Sequence, residues 1–505
     1  MGTVSAGWGA GADVAELLVT LGDAGFDVEQ PVAVTSTVFD TFDGRLHDAG
    51  LRVEHDGQTL VLGGEGTVPA RLDREGAPRF ARDVPPGPLR NRLLDVLEMR
   101  ALLPLVTVSA IVRRAVSRNR DGKVVATVRI VEQVTTDRGR LDGWLVEVDE
   151  LTGYDKQAAN AREVVTAAGV ALTDGTDAIA LAMAACGVDA SGHHDEATVP
   201  LEPDMPALEG FRRVLANLLA SVDANLPGTI EDIDSEFLHD MRVAVRRSRS
   251  VLRHGKRVLP EHVLAWSRSD LKRLGQLTGP PRDLDVLAEE WDGYVETLAG
   301  EAAAALAPVR AQVDDDRTVA HRLLSADLVS APVVALLERW RTWLESGAGT
   351  PGPHGERALI DVVVRRIDKA EQRLLDHGRA ITPGTPAEHV HEVRKDAKRL
   401  RYLLECFGSL LPGAERKAFV KRLKALQDNL GEHQDAEVHA GMLRTVAGEL
   451  PSTTAPETLV ALGQLVEQLE RRRVEAREAF ANRFAEYDSK ATRKAMRAML
   501  DGAAG

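Results

Sequence analysis

The chain has 505 residues, with 63 Lys plus Arg against 77 Asp plus Glu and a formal net charge of −14. Its length exceeds one ordinary core and predicts two to four domains, and a hydrophobic fraction of 44% with 28% charged residues excludes a disordered chain. No run of about 20 apolar residues occurs, so no transmembrane helix is expected.

The start, "MGTVSAGWGAGADVAELLVTLG", lacks the basic flank of a signal peptide. Cys186 and Cys406 are the only cysteines, which excludes a disulfide framework and a cysteine zinc cluster. A reduced, cytoplasmic setting is expected. The acidic total argues against general nucleic-acid binding, although it averages over local patches.

Residues 1–188 alternate short β-rich runs with turn signals. "PVAVTSTVFDTFDGRL", "LRVEHDGQTLVLGG", "LVTVSAIVRRAVSR", "KVVATVRIVEQVTT" and "GWLVEVDEL" read as strands. Asp43-Gly44, Asp56-Gly57 and Asp121-Gly122 bound them. "GPLRNRLLDVLEMRAL" and "AANAREVVTAAGVAL" read as helices, so an antiparallel sheet or barrel with a few helices is expected.

Residues 189–206 are polar, contain three prolines and read as a linker. "GHHDE" within them reads as linker, without a role. Long Leu-, Ala-, Arg- and Glu-rich helices follow, divided by "ESGAGTPGPHGE" into halves at 207–345 and 354–500. The tail, "LERRRVEAREAFANRFAEYDSKATRKAMRAML", reads as one amphipathic helix closing the bundle.

The halves repeat each other. "HDMRVAVRRSRSVLR" begins at His239 and "HEVRKDAKRLRYLLE" at His391, 152 positions later. At the same offset "LKRLGQLTGPPRDLDVL" from Leu271 matches "LKALQDNLGEHQDAEVH" from Leu423, pairing Lys272 with Lys424, Gly279 with Gly431 and Asp283 with Asp435. One gap-free offset shared by two segments indicates an internal duplication.

At 100° per residue, His239, Arg242, Arg246, Arg249 and Arg253 share one face of a helix. Met241, Val245, Ser248, Val251 and Leu252 take the opposite face. In the second copy His391, Arg394, Lys398 and Arg401 form the cationic stripe, and Val393, Ala397, Leu400, Leu403 and Leu404 face inward. From His239 to Arg257 seven Lys or Arg stand against one Asp.

Like charges one turn apart destabilise a helix by a few tenths of a kcal/mol per pair, so two matched stripes call for a compensating anion. Two basic helices facing one another would line a groove for a polyanion, with Arg forks suited to phosphate oxygens. Neutralisation by acids on neighbouring helices is the plainer reading, weakened by the repetition. Stacking platforms for single-stranded nucleic acid need aromatic side chains, and only 4% of the chain is aromatic. Inorganic polyphosphate fits a backbone-only ligand best.

On these four segments the helical region, roughly residues 204 to 500, resembles a CHAD domain, the conserved-histidine α-helical domain. The resemblance implies a duplicated helical bundle that binds inorganic polyphosphate in a basic central groove, with association with polyphosphate granules. By position it points to His239, Arg242, Arg246, Arg249, His391, Arg394, Lys398 and Arg401; Arg253 extends the first stripe, and Lys272 and Lys424 stand on the following helices.

The N-terminal part resembles a CYTH domain, the triphosphate tunnel fold, through "VFDTFDGRLHDAGLRVE", "IVRRAVSR" and "GWLVEVDE". That family's Glu-x-Glu-x-Lys signature, which places two carboxylates and a lysine on one strand face for metal and phosphate, is absent from this chain. Glu54 stands where a tunnel arginine is expected. Arg52, Arg113, Arg114, Glu147 and Asp149 are the surviving candidate contacts, and read more simply as surface strand residues.

The expected fold is therefore α+β and multidomain: a degenerate CYTH-like antiparallel barrel or tunnel, then an all-α duplicated helical bundle. Its expected function is non-catalytic polyphosphate binding. A metal-dependent triphosphatase and an adaptor for an acidic protein are the alternatives. His389-x-His391 could hold a metal, but the surrounding cations oppose one, so neither metal nor cofactor is expected. Asp283, Asp285, Asp435 and Glu437 read as structural acids behind the cations. No membrane or nucleic-acid partner is expected, and a homo-oligomer is compatible with the sequence.

Overall fold

The computed structural model describes residues 4–9, 13–64, 69–149, 151, 153–174, 176–193, 199–382 and 384–504. It divides into two compact units, Met1–His194 and Asp195–Gly505. Part of the expected linker and of "GHHDE", residues 194–198, lies outside the described residues.

The first unit is one curled antiparallel sheet, a half-barrel, with short helices against it. In chain order the strands are β1 (Val4–Trp8), β2 (Asp27–Val28), β3 (Val32–Asp40), β4 (Leu51–His55), β5 (Thr59–Gly64), β6 (Ala70–Asp73), β7 (Leu103–Arg118), β8 (Val124–Thr136), β9 (Gly139–Arg140), β10 (Leu145–Asp149) and β11 (Thr173–Asp174). They are ordered β11-β1-β10-β8-β7-β3-β4-β5-β6, with β2 beside β7 and β9 beside β8.

Side-chain alternation decides the two faces. Ala126, Val128, Ile130, Val146 and Val148 form one core with α1 (Val14–Asp23) and, through Ala161 and Val165, with α4 (Asp155–Ala167). The neighbouring positions Arg129 and Glu147 are cross-strand partners and so share the other face. Register shifts at Val38/Phe39 and at Ser109/Ile111 interrupt the ladders, and bulges of this kind sharpen twist and help a sheet curl.

Asp56-Gly57 joins β4 to β5 and Asp121-Gly122 joins β7 to β8, whereas Asp43-Gly44 leads from β3 into α2 (Arg45–Asp48). The expected helices are α3 (Pro88–Leu97) and α4. The short α5 (Ala178–Ala185) is an element that the strand pattern did not suggest. Its Ala178, Ala182 and Met183 pack on Val38, Val106, Val108 and Leu145 of the sheet.

The second unit is helical: α6 (Ala207–Ile230), α7 (Ser235–His254), α8 (Glu261–Leu277), α9 (Gly279–Val295), α10 (Gly300–Ala305), α11 (Ala307–Leu328), α12 (Ala331–Ser346), α13 (Leu359–Arg379), α14 (Ala387–Cys406), α15 (Gly413–Glu449), α16 (Pro456–Tyr487) and α17 (Lys490–Ala504). The starts of α6 and α13, of α7 and α14, and of α8 and α15 are each 152 residues apart. α7 and α14 are both 20 residues long.

One departure from this symmetry has a local cause. α15 runs unbroken for 37 residues, but its counterpart is split into α8 and α9 at Thr278. Pro280 and Pro281 lack the backbone N–H that a continuing helix needs, while Glu432 and His433 stand at the matching positions.

Two apolar cores support the unit. One gathers residues such as Phe211, Met241, Val245, Ile367, Val393, Leu400 and Leu423. The other joins Leu287 and Trp291 of α9 to Val309 of α11, Leu443 of α15 and Leu465 of α16. Leu201 and Met205, within the stretch read as a linker, are buried in the first of these. The tail is two helices instead of one, interrupted at Asp488-Ser489. Among the described residues no single helix is long and apolar enough to cross a membrane.

Candidate anion-binding site

α7 begins where Asp234 caps it, accepting hydrogen bonds from the Glu236 and Phe237 amides at 3.0 and 3.2 Å. Its apolar face, Met241, Val245, Val251 and Leu252, is buried. So are Val393, Ala397, Leu400, Leu403 and Leu404 of α14. Burying these faces turns both cationic stripes away from the core, and the two helices pack against each other.

Between them lies a cavity of about 530 Å³. His239, Arg246 and Arg247 reach it from α7, and Arg394, Lys398 and Arg401 from α14. The structure thus brings His239, Arg246, Arg394, Lys398 and Arg401 of the expected set together. Arg242 lies beside it, donating to the Gly275 carbonyl at 3.5 Å. Arg249 and Arg253 run on along α7, exposed, and Lys272 and Lys424 are exposed on α8 and α15, outside the cavity lining. His391 is bonded through Nδ1 to Gln434 Oε1. Gly275 and Gly279 give the stripe room, since a Cβ there would stand 2.8 Å from Arg249 Nη1 and 3.0 Å from Arg242 Nη1.

Of the opposite wall, sequence reasoning singled out Asp435, as an acid behind the cations, and missed the rest. α9 contributes Glu290 and Tyr294, α15 contributes Asp428, Glu432 and Asp435, and α16 contributes Arg472. Glu405 and Tyr402 join from α14. The cavity is therefore ionic in both senses, and two tyrosines line it. The Tyr294 hydroxyl engages Glu290 and His439 Nδ1; Arg472 lies 5.2 Å from its ring centroid. Tyr402 and Glu405 belong to the second basic motif and Asp435 to the other matched segment, whereas Glu290, Tyr294 and Arg472 sit outside the quoted repeats, whose pattern carried no signal for them.

Several of these charges already have partners. Glu405 is shared by Arg247 at 3.0 Å and Arg401. The duplication repeats one contact: Arg242 faces Asp283 at 3.9 Å and Arg394 faces Asp435 at 3.4 Å, at positions 152 apart. Among the described residues neither Arg246 nor Lys398 has a carboxylate at ion-pair distance. Burial, followed by the Arg246 and Arg394 guanidiniums, brings the Lys398 ammonium down to about 7. Burial also lowers Arg242 and Arg394, with Arg246 adding to both effects.

In the sheet unit the surviving CYTH-like candidates are tied up internally. Arg52 ion-pairs with Glu54 at 2.7 Å and with Asp177, the N-cap of α5. Glu147 is buried, not a surface strand residue, and pairs with Arg129, which also holds Asp149 at 2.9 Å. Burial pushes the Glu147 carboxyl up to about 7 against the pull of Arg129. Arg113 pairs with Glu132 at 2.6 Å and Arg114 with Glu29 at 3.5 Å.

Fold and cavity define a helical repeat protein with a charged cavity between equivalent helices, preceded by a curled antiparallel sheet. Residues 213–444 match the CHAD domain family model, so the helical unit carries a CHAD domain. Two uncharacterized Mycobacterium tuberculosis proteins, one from each of two strains, are 27% identical over 241 residues. Each match covers 46% of this chain and 44% of the relative, less than half of its length.

Among solved structures, the CHAD domain from the plant Ricinus communis aligns with a TM-score of 0.47 and 25% identity, over 60% of this chain and 96% of that one. PptA from Streptomyces chartreusis aligns with a TM-score of 0.46 and 20% identity, over 55% of this chain and 99% of that one. The N-terminal curled sheet is consistent with a CYTH-like tunnel.

Proposed function

We propose that the helical unit binds inorganic polyphosphate, without cleaving it, in the cavity between α7 and α14. The observation that carries this reading is the pair Arg246 and Lys398. They are equivalents from the two repeats, line one cavity and have no carboxylate at ion-pair distance among the described residues. An anion lodged between them relieves the mutual repulsion and restores the lysine's full charge. Arg247 and Arg401, which share Glu405, offer two more guanidiniums.

A chain of phosphates suits this arrangement because its charge is spread along a line, as the cations are. Phosphate needs no stacking surface, and Tyr294 already has Arg472 beside its ring. Granule association would follow from the same affinity where polyphosphate accumulates.

Titration of the full chain with long-chain polyphosphate at two salt concentrations tests the proposal, with single-stranded DNA as competitor. Binding should weaken as salt rises, because captured phosphates release counterions, and DNA at equal phosphate concentration should displace the ligand poorly. Salt-independent binding, or equal displacement by DNA, would refute it. An acidic protein partner would instead be indicated by failure of long-chain polyphosphate to bind at all.

A further inference from the structure

We infer that the central cavity continues along α7 into a second basic pocket, so that a long phosphate chain is held at both ends of one track. This deepens the polyphosphate reading and rests on it. The second pocket, about 130 Å³, is lined by His354, Arg357, Arg365, Arg366 and Lys369, with Asp361 the carboxylate among its lining residues. At that size it admits one or two phosphate groups and excludes a nucleoside. None of these residues belongs to the duplicated basic motif.

The pocket is built from the first turns of α13, with His354 and Arg357 of the segment just before it. Gly352 donates its amide to the Val258 carbonyl at 2.9 Å, and His354 donates its amide to the Arg257 carbonyl at 2.8 Å. A side chain at Gly352 would be blocked, since a Cβ would stand 2.6 Å from the Arg257 oxygen. The segment after the break is thereby pinned to the chain leaving α7, which sets Arg257 beside the α13 cations.

Arg249 and Arg253 bridge the two pockets on α7. From Arg246 to Arg253 the helix rises about 10 Å, so the track is a short line of charge and not two isolated spots. Asp396, which lies near Arg253, is already shared by Arg373 at 3.2 Å, Arg399 at 2.6 Å and His377 at 2.7 Å. Among the described residues, Arg249, Arg253, Arg257, Arg365 and Arg366 have no carboxylate at ion-pair distance.

Repulsion passes along the same path. Although their side chains reach solvent, partial desolvation lowers Arg249 with Arg246 adding to it, and lowers Arg253 with Arg399, Arg373 and Arg249 adding. Burial, then Arg366, Arg253 and Arg399, brings His254 down to about 4. Burial and Arg257 lower Arg366. A track of this kind predicts bivalent binding, in which a second contact made by the same chain raises apparent affinity.

The test compares tripolyphosphate with long-chain polyphosphate on the full chain, for wild type and for Arg365→Glu/Lys369→Glu. Both substituted side chains are exposed, so the fold should be retained, and Arg357→Gln gives a milder second variant. Wild type should prefer the long chain, and the charge reversal should shrink that preference by about tenfold or more; Arg357→Gln should shrink it less. A preference unmoved by either variant would overturn the track and leave the central cavity standing. Wild type that bound neither ligand would overturn both.

Discussion

The Arg247 guanidinium donates to the Glu405 carboxylate at 3.0 Å, tying α7 to α14 across the cavity wall. The same carboxylate accepts from Arg401, so one acid restrains two cations that face the proposed ligand.

Replacing Glu405 with Gln should therefore separate stability from binding. Loss of the shared acid should cost about 1–2 kcal/mol of stability, between the values for exposed and buried pairs because the contact is partly shielded. It should also raise polyphosphate affinity severalfold, because Arg247 and Arg401 become available. Thermal unfolding and titration of the same variant check both directions.

Reversing the two central cations, Arg246→Glu with Lys398→Glu, should abolish polyphosphate binding while leaving helix content unchanged. Both side chains project from helices whose buried faces are untouched by the change. Circular dichroism with a binding titration decides it; unaltered affinity in the folded double variant would remove the cavity from the mechanism.

Binding should also depend on pH with a defined sign. Lys398 sits near 7 in the free protein, chiefly through burial and then through Arg246 and Arg394. A bound anion favours the charged form, so the complex takes up a proton. Affinity then falls as pH rises above about 7, by at most about tenfold per pH unit for one proton. Lys398→Arg keeps the charge across that window and should flatten the dependence. Comparing the two proteins from about pH 6.5 to 8.5 cancels the ligand's own titration.

Magnesium-dependent release of phosphate from tripolyphosphate should be absent. Arg52 is paired with Glu54 and Asp177, and Glu147 with Arg129, so these groups are committed to each other on the sheet. A phosphate-release assay on the full chain checks this; sustained turnover would favour the triphosphatase alternative.

The α+β order, sheet first and repeated helices after it, was legible because hydrophobic period changes from two to 3.6 along the chain. The inward faces of α7 and α14 were legible for the same reason, and Val245 and Ala397 are buried as their phase requires. The N-terminal strand β1 and helix α5 were missed: β1 is a five-residue strand and α5 an Ala-rich helix of eight residues. Neither is long enough to show a clear period.

In the cavity, the repeated segments pointed to Arg246, Lys398 and Asp435 but could not show Glu290, Tyr294 or Arg472. These come from α9 and α16, and no local spacing records which helix will pack opposite another. The break at "ESGAGTPGPHGE" read as a divider, yet part of it forms a pocket wall through backbone hydrogen bonds to Arg257 and Val258. Such contacts are made by main-chain atoms, which leave little trace in residue identity.

From the sequence by itself came the duplication, the helical phase and the identity of the exposed cations, because each is a property of neighbours along one strand of covalent chain. Tertiary packing alone decided that two equivalent stripes share a cavity, which acids temper them, and which cations, among the described residues, have no carboxylate at ion-pair distance. Those are matters of distance between segments some 150 residues apart, and charge interaction depends on distance and on exclusion of water.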